Sequence, residues 1–207
     1  MLRFNTINKN IETYIVEKKS KFIANIFYVE TIDEAEEYIK QIKKKYHDAR
    51  HNTFAYAIET GDLGIAVKYN DDGEPQGTAG APMLKVILEN KLSNVLVVVT
   101  RYFGGILLGT GGLVRAYTDV TKKAIEESEI VEKTAGHEIK ISVTYDNLEN
   151  LKYYLNKREI NILDVDYGVN IDLIIEISKE DLEEITKNAS EKKLDIIKLD
   201  ILKEKFV

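Results

Sequence analysis

Eight of the chain's twelve glycines and both of its prolines fall between Asp71 and Tyr117, and this clustering limits the fold more than any other feature of the 207 residues. Glycine is needed where the backbone takes positive φ or where another group comes very close, so a run this dense describes shaped loops and not generic linkers. The stretch opens Asp71-Asp72-Gly73-Glu74-Pro75-Gln76-Gly77-Thr78-Ala79-Gly80-Ala81-Pro82. It passes through Asn94-Val95-Leu96-Val97-Val98-Val99-Thr100 and continues Arg101-Tyr102-Phe103-Gly104-Gly105-Ile106-Leu107-Leu108-Gly109-Thr110-Gly111-Gly112-Leu113-Val114-Arg115-Ala116-Tyr117. Residues 94–100 are apolar without alternation, which predicts a central strand covered on both faces. Helical spacing predicts one helix over Ala79 to Asn90, with Pro82 tolerated in its first turn. A second is predicted over Gly111 to Ser128, with Leu113, Val114, Tyr117, Val120, Thr121 and Ala124 inward.

The flanking chain supplies the partners of that strand. Partial alternation over Ile11 to Val16 and Lys21 to Val29 predicts a hairpin turning at Glu17-Lys18-Lys19-Ser20. Thr31 followed by Glu34 is a capping-box start for a helix carrying Ala35, Tyr38, Ile39, Ile42 and Tyr46 and ending near His47. Two more strands, Asn52 to Glu59 and Gly64 to Tyr69, are joined by Thr60-Gly61-Asp62-Leu63. Beyond Gly136 glycine becomes scarce and the order is strand (138–145), helix (147–158), strand (161–167), strand (170–178), helix (179–192), strand (194–202). That βαββαβ order is the ferredoxin-like, split-βαβ pattern. A boundary near 134–137 divides the chain into domains 1–135 and 136–207.

Composition closes off several classes. With 44% hydrophobic residues the chain can bury a core, and with no cysteine it has no disulfide, no thiolate metal site and no cysteine nucleophile. No apolar run approaches the roughly 18 residues of a spanning helix, and the first residues have no signal-like core, so the expected setting is the cytoplasm, with no membrane association. The net charge of −6 argues against coating nucleic acid by bulk positive charge. The excess is uneven, however: residues 1–136 carry 18 basic and 19 acidic side chains, residues 137–207 carry 11 and 16.

The strand, the glycine loop and the helix from about residue 111 have the layout of an anion site. Free amides at a helix N-terminus, the helix dipole and approachable glycines act together. Arg101, Arg115 and the backbone of Gly104, Gly105, Gly111 and Gly112 are the candidate contacts. The competing explanation is structural: paired glycines permitting close packing, and Arg101 paired with Asp71, Asp72 or Glu74. A Walker A loop is excluded because Thr110-Gly111 stands where Lys-Ser/Thr is required, and the dinucleotide fingerprint lacks its third glycine or alanine. His47 and His51 stand four apart, but no third ligand accompanies them, and His51 reads more naturally as a residue ordering the next strand. Asp71-Asp72-Gly73-Glu74 reads as a solvated turn. No metal and no cofactor is expected.

Taken together, Asp48-Ala49-Arg50-His51 with Ala55-Tyr56, Asp71 to Pro75 with Gly77-Thr78-Ala79-Gly80 and Pro82, and Arg101 to Tyr117 resemble the YigZ/IMPACT family, in its bacterial two-domain form, over nearly the whole chain. The resemblance implies an α+β protein. Its N-terminal domain would have the βαβ sandwich fold shared by a domain of elongation factor G and of a small-subunit ribosomal protein. Its C-terminal domain would resemble another elongation factor G domain. The resemblance also marks Asp71, Asp72, Glu74, Thr78, Tyr102 and Tyr117 as motif positions. Eukaryotic members regulate translation by competing for a partner that activates the general-control kinase, through an additional N-terminal domain. Members often carry Cys where Thr53 stands, so thiol chemistry there does not extend to this chain.

Three readings follow. The first is a translation-linked factor binding RNA, the ribosome or a translation-regulatory protein through Arg101, Arg115 and the 104–112 loop. The second is an enzyme acting on a small phosphorylated or carboxylated ligand, with His51 or Glu74 moving the proton. The third is a protein-interaction module using the acidic C-terminal domain.

Overall fold

The computed structural model describes residues 3–60 and 64–207; the predicted turn at Gly61-Asp62-Leu63 lies outside them. The chain forms two compact units, Phe4–Glu132 and, with Arg3, Lys133–Val207.

In the first unit β2 (Ile11–Glu17), β3 (Ser20–Tyr28), β4 (His51–Glu59), β5 (Ile65–Asn70) and β6 (Val95–Tyr102) form one sheet in the order β2-β3-β6-β4-β5. Every neighbouring pair is antiparallel. The side-chain period of two sends alternate residues of β6 to opposite faces. Leu96 and Val98 join Phe54, Tyr56 and Ile58 beneath α1 (Ile32–Lys45). Val95, Val97 and Val99 join Phe22, Ala24 and Ile26 on the other face, beneath α2 (Gly80–Glu89) and α3 (Thr110–Ser128). The unpatterned apolar run is therefore the central strand between two helical layers. The β2–β3 turn has no glycine, and Lys18 and Lys19 take φ of 45° and 66°, the twist that matches a two-residue hairpin. Thr31 caps α1 as its sequence predicts, its hydroxyl accepting from the Glu34 amide at 3.1 Å.

In the second unit β7 (Ile130–Val143), α4 (Leu148–Lys157), β8 (Ile162–Tyr167), β9 (Ile171–Ser178), α5 (Lys179–Ser190) and β10 (Lys198–Phe206) follow in the βαββαβ order. The strands pair antiparallel as β10-β7-β9-β8, which is the ferredoxin-like arrangement. Ile139, Ile141, Leu173 and Ile175 face Leu151, Leu155 and Ile185 of the helices.

Some local expectations are corrected. A short strand β1 (Arg3–Ile7) precedes the predicted ones, with Ile7 in the core and Asn5 bridged to Leu92. Val114 turns outward, 36% exposed, and the inward stripe of α3 runs instead through Ala116 and Ile125. β7 begins at Ile130, eight residues before the predicted start, because it runs straight through Gly136. A Cβ at that glycine would lie 2.3 Å from the Ile177 carbonyl oxygen, so it permits close strand approach and does not break the strand.

Candidate functional site

Arg101 follows Val95, Val97 and Val99 on the same side of β6, and the strand period carries it inward. Its neighbours across the sheet are Phe22 and His51. The side chain is 8% exposed, and Nη1 donates to Glu74 Oε1 at 2.7 Å; the Glu74 side chain is 3% exposed. Tyr117, delivered by α3 and fully buried, donates its hydroxyl to the same Oε1 at 2.9 Å. The guanidinium lies 5.4 Å from the Phe22 ring and 5.6 Å from that of Phe103, and Tyr117 meets Phe22 edge-on at 5.2 Å. Burial first, and the Glu74 charge next, push the Tyr117 phenol well above its ordinary range. The sequence expectation that Arg101 is an open anion contact is thereby corrected. Its charge is neutralised by Glu74 and shielded by aromatic rings. Its buried Nε has no partner among the described residues.

The acidic loop is a staple. Asp71 Oδ1 accepts from the amides of Ala79 at 3.1 Å and Gly80 at 2.9 Å, and Oδ2 from Gly77 at 2.7 Å, so a carboxylate from outside α2 satisfies its first turn. Asp72 accepts from the Asn52 amide at 2.7 Å and from Lys43 at 3.0 Å. The backbone oxygen of Asp72 lies 2.8 Å from His51 Nδ1. Thr78 donates to the Pro75 carbonyl at 2.6 Å. Tyr102 donates to Asp48 at 2.7 Å. His51 thus orders the start of its strand, and Glu74 is held by Arg101 and Tyr117. Among the described residues no group of three or more His, Asp or Glu side chains is placed to hold a metal ion.

The glycines divide by role. A Cβ on Gly104 would stand 2.0 Å from the Lys19 carbonyl carbon, and the Gly104 amide donates to Ser20 Oγ at 3.1 Å, so this glycine seats the loop on the β2–β3 turn. Gly105 and Gly109 take φ of +83° and +73° with open space around them. The first-turn amides of Thr110, Gly111 and Gly112 lack intrahelical acceptors, and no side chain among the described residues caps them. Arg115 is exposed, and a Cβ on Gly111 would lie 3.9 Å from its Nη1. Arg115 shares a hollow of about 110 Å³ with Lys18, Glu17, Asp119 and Gly112. The two arginines therefore do not converge: Arg101 is in the core, Arg115 at the surface.

Sequence reasoning did not single out the apolar tip of this loop. Leu107 is 83% exposed, with Phe103, Ile106 and Val114 exposed beside it in sequence. The signal was present in Ile106-Leu107-Leu108, three apolar residues between glycines, of which only Leu108 is buried.

Residues 18–125 match the Impact N-terminal domain, and residues 141–191 match a domain of unknown function, DUF1949. The chain belongs to the IMPACT family. It is 39% identical over 167 residues to IMPACT family member YvyE of Bacillus subtilis, covering 81% of this chain and 76% of that protein. With a Protein IMPACT homolog of Dictyostelium discoideum it shares 41% identity over 97 residues, only 28% of that protein. A solved structure described as a crystal structure of a hypothetical protein is 28% identical, with a TM-score of 0.65 over 99% of this chain and all of that one. Among the described residues of this IMPACT-family protein, no helix is long and apolar enough to cross a membrane.

Proposed function

We propose that this protein is a translation-linked regulatory factor that docks on RNA or a ribonucleoprotein surface through the loop 103–109 and the first turn of α3. The observation that carries the reading is Arg115, exposed beside helix amides that no side chain of the described residues caps, on the same segment as the exposed Ile106 and Leu107. Such a helix start favours phosphate oxygens, and the arginine supplies a forked donor to the same group. Family membership supports the translational setting through the eukaryotic members described above. A binding role is favoured over catalysis because His51 and Glu74 are both engaged in holding the fold.

Glu17 and Asp119 share the hollow with Lys18 and Arg115, so its formal charge cancels. The contact is then with one or two phosphates and with shape, not a blanket of positive charge. Binding to ribosomes, measured across a salt series, is expected to fall with a log–log slope of roughly −1 to −2, and Arg115→Ala to reduce that slope by roughly 0.7 to 0.9. Leu107→Asp should weaken association at every salt concentration. Binding that is indifferent to salt and to both substitutions would refute the assignment.

A further inference from the structure

Helix α4 presents two stripes. Leu148, Leu151 and Leu155 enter the core of the second unit. Asn150, Tyr153, Tyr154, Lys157 and Arg158, at i, i+3, i+4, i+7 and i+8, form another face of the same helix. That face, with Asn188, Lys193 and Leu194 following along α5 and beyond it, lines a cavity of about 340 Å³. The volume falls in the range of small-molecule sites. Its lining holds three cations and no carboxylate, in a stretch (137–207) where acids outnumber bases 16 to 11.

The groups differ in how far they are committed. Arg158 lies 4.3 Å from the Tyr154 ring centre and pairs with Glu184. Asn188 donates to the Tyr154 hydroxyl at 3.1 Å. Lys193 pairs with Glu191. Lys157 has no ion-pair partner among the described residues, and Tyr153 is 69% exposed, with its ring free of any stacking contact there. An uncommitted ammonium, an uncommitted aromatic face and side-chain amides thus share one small hollow. We infer that this cavity binds a nucleoside phosphate, with the base against Tyr153, the phosphate at Lys157, and the Asn150 amide at the base edge. A flat ring stacks on tyrosine whatever its identity, while the Lys157 ammonium selects for negative charge. The site lies in the second unit and does not rest on the reading of the α3 loop.

The same chemistry is offered by a free nucleotide or by one residue of an RNA strand, and titration of the full-length protein separates them. AMP, GMP, CMP and UMP are compared with inorganic pyrophosphate and with a single-stranded hexaribonucleotide, following amide shifts by NMR. Saturable binding of at least one nucleotide is expected, with shifts centred on residues 150–158 and 188–194. Tyr153→Ala should weaken it roughly tenfold to a hundredfold, Lys157→Ala should weaken it several-fold, and Tyr153→Phe should retain it. A hexamer binding more tightly than any mononucleotide identifies a strand as the source, and equal affinity identifies the free nucleotide. Tyr153 and Lys157 are both exposed, so these variants keep the fold. The inference is overturned if no nucleotide or oligonucleotide binds, if pyrophosphate binds as well as the best nucleotide, or if Tyr153→Ala and Lys157→Ala leave affinity within twofold.

Discussion

Removing the Glu74 carboxylate tests the most consequential claim about the motif, that its charged residues hold the core together. In Glu74→Ala the Arg101 guanidinium stays buried at the end of β6, with Nε already lacking a partner among the described residues and Nη1 deprived of its acceptor. Truncating one side of a buried ion pair costs about 3–5 kcal/mol, because the other charge is left without compensation. The Tyr117 hydroxyl loses its acceptor as well, which adds about 1 kcal/mol. For a chain of this length each kcal/mol lowers the melting temperature by about 2–4 °C, so a fall of about 10 °C or more is expected. Arg101→Met strands the carboxylate instead and should cost about as much. The double variant Glu74→Ala with Arg101→Met removes both charges and should lose less than the two single variants summed. Urea unfolding followed by tyrosine fluorescence suits a chain with 12 tyrosines and no tryptophan. A Glu74→Ala protein within 1 kcal/mol of the parent, or single-variant losses that simply add in the double variant, would refute the reasoning.

Three further outcomes follow from the loop. Gly104→Ala drives a methyl into the Lys19 backbone and should cost about 3 kcal/mol or more, whereas Gly105→Ala meets no atom and should cost about 1–2 kcal/mol from its φ of +83° alone; equal losses in thermal melts would contradict the assigned roles. Asp71→Ala frees the amides of Gly77, Ala79 and Gly80 and should lower stability by about 2 kcal/mol, with Asp71→Asn recovering part of it in the same denaturation assay. Finally, the Tyr102 phenol is pushed up to about 12, first by its hydrogen bond to Asp48, and the Tyr117 phenol is pushed up by burial and Glu74. A folded-state pKa above the unfolded value means that the stabilisation is intact below about pH 10 and is lost as the pH rises past it. Absorbance at alkaline pH should therefore show Tyr102 and Tyr117 ionising after the bulk, and twelve tyrosines titrating as one class would count against this.

Much of the architecture is legible because periodicity reports burial directly. The unalternating 94–100 run can only be a strand covered twice, and Thr31 with Glu34 marks a helix start whatever surrounds it. Where the reading failed, the deciding contact was distant in sequence. Gly136 looks like a break until Ile177 is known to lie against it. Val114 and Ala116 are two residues apart on a helix whose phase is fixed by Phe22 and the sheet, not by its own pattern. Arg101 is the instructive case, since the alternation Val95, Val97, Val99, Arg101 already pointed it inward. Its positive charge argued for the surface, and of the two explanations weighed for it the structural one holds: a pair with Glu74, 27 residues earlier, makes burial tolerable.

The placement of these residues changes what the motif means for function. Glu74, Arg101 and Tyr117 tie the acidic loop, the central strand and α3 together; Asp71 and Asp72 fix the loop to α2 and β4; Gly104 seats the β6–α3 connection on the hairpin turn. Each makes a contact within the first unit that holds the fold. What this scaffold holds out is the segment that carries the exposed Ile106, Leu107 and Arg115, on glycines that take positive φ. A rigid frame presenting an apolar and cationic tip is suited to docking, and substitutions in the two sets should separate accordingly. Changes to the buried set should act through stability and be rescued by lower temperature. Leu107→Asp and Arg115→Ala should leave the melting temperature within about 2 °C of the parent while weakening association with ribosomes. A Leu107→Asp protein that melts markedly earlier would show that the tip is part of the frame, and would remove the argument for docking.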